Sequence, residues 1–156
     1  MESVTASGFE SGAPHYPRPG GVVSRFWARV IDGILVNIVA VLLALFAVGD
    51  DYPWLVTGLF SGVLMFGYFV LFETAQGATP GKKLLGLSVR GPGGAPRADV
   101  KQSAIRNAFT LLPVVPVVGP LLAVLAYLVI GVTISGSSTK QGKHDELAGG
   151  TEVVTA

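Results

Sequence analysis

The chain has 156 residues, half of them hydrophobic and only 13% charged, with a net charge of +1 and a mean hydropathy of +0.59. This length suits a single domain, and the apolar composition indicates a membrane protein rather than a cytosolic one. The near-zero net charge argues against a nucleic-acid partner. Because the chain has no cysteine, disulfides and thiolate metal sites are excluded.

The first 23 residues are rich in glycine and proline and contain few large apolar side chains. A segment of this composition cannot bury enough apolar surface to fold. Residues 1–23 are therefore predicted to form a disordered cytoplasmic tail.

The first predicted transmembrane helix covers residues 30–48, which are uncharged except for Asp32. At ~1.5 Å per residue this stretch nearly spans a ~30 Å hydrocarbon layer. Arg25 and Arg29 precede Asp32 on the same helix face. A carboxylate at this depth needs a partner, so we expect the two arginines to lie close to it. Either this cluster only stabilises the helix, or it forms an ion or solute site with Asn37 as a polar step deeper in the bilayer.

The second predicted span covers residues 54–72 and contains no charge. The link at residues 49–53 is so short that the two spans must form an antiparallel hairpin. Gly58 and Gly62 make a G-x-x-x-G pattern, which is typical of close packing, either against the first helix or in a dimer. Glu73 ends this span on the same side of the membrane as Arg25 and is a candidate partner for it.

A polar segment follows, with six Lys or Arg residues between 74 and 106 and a single acid, Asp99. Its start, Gly77 to Lys82, departs in spacing from a phosphate-binding loop, so no nucleotide site is predicted there. Residues 85–90 alternate in polarity and precede a glycine-rich turn, which predicts a β-hairpin at the membrane surface. Residues 151–154 are predicted to add a third strand, with Asp145 nearby.

The third apolar stretch, residues 109–134, is uncharged and is interrupted by Pro113, Pro116, Gly119 and Pro120. Three prolines so close together cannot lie in one straight helix. Two structures remain open: a kinked single span, or a re-entrant pair of helices.

The distribution of basic residues predicts the orientation. Lys and Arg residues flank the first span and fill the central segment, whereas the 49–53 link has none and carries two acids. The N-terminus and the central segment are therefore predicted to be cytoplasmic. Lys140 and Lys143 favour a cytoplasmic C-terminus as well, which requires the third stretch to enter the membrane and return.

Four motifs together resemble the RDD family of membrane proteins. They are Arg25-Phe26-Trp27-Ala28-Arg29-Val30-Ile31-Asp32, Phe72-Glu73 followed by residues 77–89, Ile105-Arg106-Asn107, and residues 145–151. The resemblance covers residues 24–154, and the arginine and two aspartates that name the family map onto Arg25, Asp32 and Asp145. It implies a multi-pass protein, suspected of transporting ligands or ions, in a bacterial plasma membrane.

The sequence thus predicts an all-α integral membrane protein, with a transmembrane helical hairpin, a proline-broken third segment and a small cytoplasmic sheet. The preferred function is transport of an ion or small solute, such as cation/proton exchange, by a homo-oligomer. The alternative is an accessory or scaffold subunit that uses the same charges for helix packing. No enzyme, cofactor or metal site is predicted, because no nucleophile, base and orienting group form a credible set. The candidate network residues are Arg25, Arg29, Asp32, Asn37, Glu73 and Asp145, and the candidate cytoplasmic motif is Thr79, Pro80, Gly81, Lys82, Arg106 and Asn107.

Overall fold

The computed structural model describes residues 17–47 and 61–156. The elements in chain order are α1 (Val22–Ala47), α2 (Ser61–Gln76), α3 (Pro80–Leu84), β1 (Leu87–Arg90), α4 (Val100–Asn107), α5 (Val118–Gly136), α6 (Lys143–Leu147) and β2 (Glu152–Thr155). Two 3-10 helices cover Pro92–Gly94 and Ala108–Val114. The predicted 49–53 link, Gly58 and the start of the second span lie outside the described residues, as does most of the predicted tail.

Two helices are long and apolar enough to cross a membrane, namely α1 over Val22–Phe46 and α5 over Val118–Gly136. Only 22% and 17% of their most apolar windows is buried. The core helix of a soluble protein would be mostly buried, so these two helices have the exposed apolar surfaces expected of helices that face lipid.

The buried face of α1 is narrow and consists mostly of small residues. Its buried positions recur every three or four residues, at Arg25, Ala28, Asp32, Val36, Ala40 and Ala44. This spacing places them on one side of the helix. The alanines let neighbouring backbones approach closely, whereas the larger side chains of α1, such as Leu45 and Phe46, remain exposed.

The sequence left two arrangements open for residues 109–134. In the structure the chain reverses its direction there, so this segment is not a kinked single helix. The 3-10 helix ends at Val114, Val117 adopts a positive φ of 65°, and α5 begins at Val118. The rings of Phe109 and Tyr127 then meet at 5.1 Å, so the two arms lie side by side. The prolines cause the break, because Pro113 and Pro116 supply no backbone N–H to continue an α-helix.

The small sheet has two antiparallel strands, with Val89 opposite Val153 and Arg90 opposite Glu152. The prediction that residues 85–90 and 151–154 share a sheet is confirmed. The predicted hairpin after residue 90 is wrong, because the 3-10 helix at Pro92–Gly94 follows β1 in place of a strand.

The edge of β2 is instead covered by the segment before α1. Pro19 forms a bridge to Val154, and the Gly20 amide donates to the Val153 carbonyl at 2.9 Å. The predicted tail therefore ends before residue 23, since residues 17–21 pack along β2 and α1 begins at Val22. These backbone hydrogen bonds pair groups that the two-stranded sheet would leave open.

Helix α4 buries its polar face and exposes apolar side chains, which is the reverse of an amphipathic helix in a soluble protein. Its buried residues are polar and recur at helical spacing, whereas Val100 and Ile105 are exposed. The buried set consists of Ser103, Arg106, Asn107 and, in the following 3-10 helix, Thr110. The chain thus has a polar core at this level and apolar side chains outside, which is the arrangement expected at a membrane surface.

Candidate functional site

The ends of α1 and α2, together with α3, α4, α6 and β2, surround a set of buried charged and polar side chains, which we call the buried polar layer. Every one of them is at most 8% exposed. The layer consists of Arg25, Asp32, Glu73, Thr79, Lys82, Ser103, Arg106, Asn107, His144, Asp145 and Thr151. Burial of so many charges requires each to have partners.

Asp145 binds two guanidinium groups. Its carboxylate lies 3.3 Å from Arg25 Nη1 and 2.7 Å from Arg106 Nη1. It also accepts hydrogen bonds from the Gly142 amide at 3.1 Å and from the Thr151 hydroxyl at 3.3 Å. This one side chain therefore joins the start of α1, helix α4 and the approach to β2.

Arg25 does not pair with Asp32, which corrects the expectation from the sequence. Besides Asp145, its guanidinium donates to the Gly20 and Val153 carbonyls, each at 3.1 Å. Arg25 thus fastens α1 to β2. Its partner lies 120 residues away in the chain, and spacing along α1 cannot indicate a contact of that kind.

Glu73, which we expected to pair with Arg25, binds Lys82 and Arg106 instead. Its carboxylate contacts Lys82 Nζ and lies 3.7 Å from Arg106 Nε. Ser103 Oγ and Asn107 Nδ2 also donate to it, at 3.0 and 2.9 Å. Because Arg106 touches both carboxylates, the residues Arg25, Asp145, Arg106, Glu73 and Lys82 form a continuous series of ion pairs, which we call the charge chain.

Asp32 lies apart from the charge chain and has only neutral donors. Tyr68 and Thr79 donate their hydroxyls to it at 2.7 and 2.6 Å, and the Gly81 amide donates at 2.8 Å. In the described part of the protein, no Lys or Arg nitrogen forms an ion pair with this carboxylate.

The Thr79-Pro80-Gly81-Lys82 motif explains how these donors reach Asp32. Thr79 caps α3 and accepts from the Lys82 amide at 3.3 Å, and Pro80 fits the first helical position, where no N–H is needed. Gly81 is required by space, because a Cβ there would lie 2.8 Å from Asp32 Oδ1. Lys82 then points to Glu73, so the motif serves both carboxylates.

The other two predicted network residues are placed differently from expectation. Arg29 donates to Asn107 Oδ1 at 2.8 Å, and its guanidinium carbon lies 3.9 Å from the centre of the Phe69 ring. Such a cation–π contact stabilises a half-buried arginine. Asn37 is exposed and donates to the Gly33 carbonyl of its own helix at 2.8 Å, so it does not join the buried polar layer.

Burial and neighbouring charges shift the pKa values of the titratable groups outside the helical spans. Burial lowers the pKa of Lys82 to about 8, and the adjacent Glu73 carboxylate opposes the shift. Burial, assisted by the charge of Arg106, lowers the pKa of His144 to about 3. Burial alone would raise the pKa of Asp145, but Arg106 and other partners outweigh it and hold this pKa below its usual range. At neutral pH His144 is therefore uncharged beside an ionised Asp145.

The sequence analysis missed several polar members of the site, including Tyr68, Ser103, His144 and Thr151. One signal was present. Ser103, Arg106, Asn107 and Thr110 recur at the i, i+3, i+4 and i+7 spacing of a helix face, so they indicate a polar face that must be covered. Within residues 17–47 and 61–156, no group of three or more His, Cys, Asp or Glu side chains is arranged to hold a metal ion.

Comparison with known proteins identifies the family. Searches of curated proteins and of solved structures each found no match. The family model for the RDD family matches residues 19–149, from the segment that covers β2 to the turn that follows α6. That range includes Arg25, Asp32 and Asp145 and most of the chain, so this protein belongs to the RDD family.

Proposed function

We propose that this RDD-family membrane protein carries an ion or small solute, in the simplest case a cation or proton, across a bacterial plasma membrane. Asp32 is the carboxylate that binds it. The proposal includes a homo-oligomer, because the few helices of one chain enclose little room for a path. In this proposal the buried charges at the helix ends divide into a structural part, the charge chain, and a functional part, Asp32.

The observation that supports the proposal is the contrast between Asp32 and the other buried carboxylates. Asp145 and Glu73 each contact two cations, which favours their charged form permanently. Asp32 is completely buried, yet its donors are two hydroxyls and one amide. A buried carboxylate that no cation pairs with directly is the group best suited to take up a proton or a cation.

The hydroxyl partners also suit this role. A hydroxyl has one proton and two lone pairs, so Tyr68 and Thr79 donate to an ionised Asp32 and offer oxygen atoms to a cation when they rotate. Arg25, which we first considered as the counter-charge of Asp32, has no such part in the revised proposal because it binds Asp145.

The test is a flux measurement in proteoliposomes that contain the purified protein as their only protein. We expect proton- or cation-driven flux from the natural protein and at least a tenfold loss in Asp32→Asn. The matched control is Glu146→Gln, which removes one carboxylate from an exposed pair with Lys143. Flux from the natural protein equal to that of empty liposomes, for protons and for the common monovalent cations, would contradict the proposal.

The second candidate is an accessory or scaffold subunit without transport activity. The charge chain favours it, because these ion pairs join α1, α2, α3, α4 and α6 and give each cation of the charge chain a carboxylate partner. Under this reading Asp32 only anchors α3 through the Gly81 amide. The absence of flux in a well-folded natural protein would favour this candidate.

A further inference from the structure

A second group of cations lies on the outside of the protein, at the end of α2. Lys83, Arg97 and Lys101 are exposed, and Leu84, next to Lys83, is 73% exposed. We call these four residues the headgroup surface. None of the three cations forms an ion pair with a carboxylate in the described part of the chain.

Hydrogen bonds bring two of these cations together. The Lys83 ammonium contacts Gln76 Oε1, and the Arg97 guanidinium donates to the Ala75 carbonyl, so both side chains lie at the last turn of α2. Lys101 lies in the first turn of α4, which packs against the same end of α2 through the 3.0 Å contact between Ser103 and Glu73. Two of the charges therefore lie at one helix end, and the third is carried by the helix that packs against that end.

This surface lies beside the apolar part of the molecule rather than beyond it. Helix α3 packs against the third turn of α1, where the Gly81 amide reaches Asp32. Leu84 ends α3 and is exposed at about this level. Phe26 and Trp27 are exposed in the preceding turns of α1, at 59% and 54%. Exposed aromatic, aliphatic and basic side chains along neighbouring turns are typical of the boundary between lipid tails and headgroups.

The charge balance decides what this surface attracts. Asp99 is the acid that lies between Arg97 and Lys101 in the sequence, and its carboxylate accepts from the Gln102 amide at 2.7 Å as the cap of α4. One acid against three exposed cations leaves the surface positive. We propose that the headgroup surface binds anionic phospholipid headgroups of the adjacent leaflet, while Leu84 enters the acyl boundary. This inference is independent of the transport proposal, because it concerns no residue of the Asp32 site.

The experiment compares two lipids around the same protein in nanodiscs. Spin-labelled phosphatidylglycerol and phosphatidylcholine report how strongly each associates with the protein surface. We expect the natural protein to prefer phosphatidylglycerol. The preference of the double variant Lys83→Gln, Lys101→Gln should be about fivefold lower. Added salt should weaken the preference of the natural protein, because the cations are exposed.

The matched control is the double variant Arg18→Gln, Arg90→Gln, which removes two charges from the strand layer, where Arg18 meets Thr155 and Arg90 lies opposite Glu152. It should keep the preference. An equal loss in both double variants would mean that net charge alone attracts the lipid, and would overturn the proposal. Displacement of the labelled lipid by millimolar inorganic phosphate would reveal a small-anion site and would also overturn the proposal. The single variant Lys101→Gln, which breaks no side-chain hydrogen bond in the described part of the chain, serves if the double variant is unstable.

Discussion

At the scale of single residues, the fit of Gly81 between α3 and α1 gives the sharpest expectation. A Cβ at this position would overlap the Ala28 carbonyl and lie 2.8 Å from Asp32 Oδ1. Because both neighbours belong to a helix that cannot easily move, Gly81→Ala should destabilise the protein by about 1–3 kcal/mol. The measurement is the melting temperature in detergent. Gly67→Ala is the control, since nothing lies within 4 Å of a Cβ there, and an equal loss in both variants would contradict the packing described.

The protonation of His144 predicts how stability depends on pH. The pKa of His144 is about 3 in the folded protein, against 6.5 for the free side chain. As the pH falls below 6.5 the unfolded chain binds a proton that the folded chain does not, so stability is lost on acidification. Asp145, whose pKa is also lowered, adds a loss in the same direction at still lower pH.

We expect this loss to reach about 2 kcal/mol between pH 7 and pH 5. Melting temperatures in detergent across this range should therefore fall, and His144→Gln should flatten the curve above pH 5. A curve for the natural protein that stays level between pH 7 and pH 5 would show that His144 is not buried in its neutral form.

At the scale of the elements, the register of the sheet can be tested directly. Arg90 and Glu152 are opposite each other in the antiparallel pair, and both side chains reach the surface at least in part. Opposite residues in such a pair have Cα atoms about 4.5–5.5 Å apart, within the range that a disulfide spans. The variant Arg90→Cys, Glu152→Cys should thus cross-link readily in this cysteine-free chain. More efficient cross-linking between positions 90 and 154 would mean that the strands pair in a different register.

The elements also show where sequence reasoning succeeds. The alternating residues 85–90 and the apolar run after Arg29 carry local periodicities, so the strand and the first helix were predictable. The way the sheet continues beyond β1 and the Gly91–Gly94 turn was not predictable. The edge of β2 is covered by Pro19, and this residue comes from a segment whose composition indicates disorder. Whether the chain reverses after Val114 remained open, because prolines indicate a break in a helix but not the direction in which the chain continues.

At the scale of the whole molecule, the path of the chain predicts that both termini lie on one side of the membrane. Helix α5 returns towards the layer that contains Asp145, since the Lys143 amide donates to Thr133 Oγ1 at 3.1 Å near the end of α5. We therefore expect single cysteines at Ser7, Gly93 and Thr155 to be protected from an impermeant reagent outside cells. A cysteine at Asp51 should be labelled. Outside labelling at residue 155 would require an odd number of crossings and contradict this topology.

The membership of the buried polar layer was largely predictable, whereas its pairing was not. Helical spacing identifies neighbours only within a few residues, and it suggested Arg25 and Arg29 as partners of Asp32. The actual partners come from distant segments, such as Asp145 for Arg25 and Thr79 for Asp32. Only the fold brings these segments together, so the division between the charge chain and the Asp32 site required the structure.

The division between the charge chain and the Asp32 site is the central claim. It predicts that the same Asp→Asn substitution lowers stability strongly in the charge chain and only slightly at the Asp32 site. Asp145→Asn leaves Arg25 buried without a counter-charge and leaves Arg106 with Glu73 alone, and it should cost about 3–5 kcal/mol of stability. Asp32→Asn keeps an oxygen for Tyr68 and Gly81, and the Thr79 hydroxyl can turn to accept from the new amide. It should cost only about 1 kcal/mol.

The most direct test measures the melting temperature and the proteoliposome flux on the same preparations of both variants. The account predicts that Asp32→Asn melts close to the natural protein but loses its flux, whereas Asp145→Asn melts far below it. A well-folded Asp32→Asn protein with the flux of the natural protein would contradict the role assigned to Asp32.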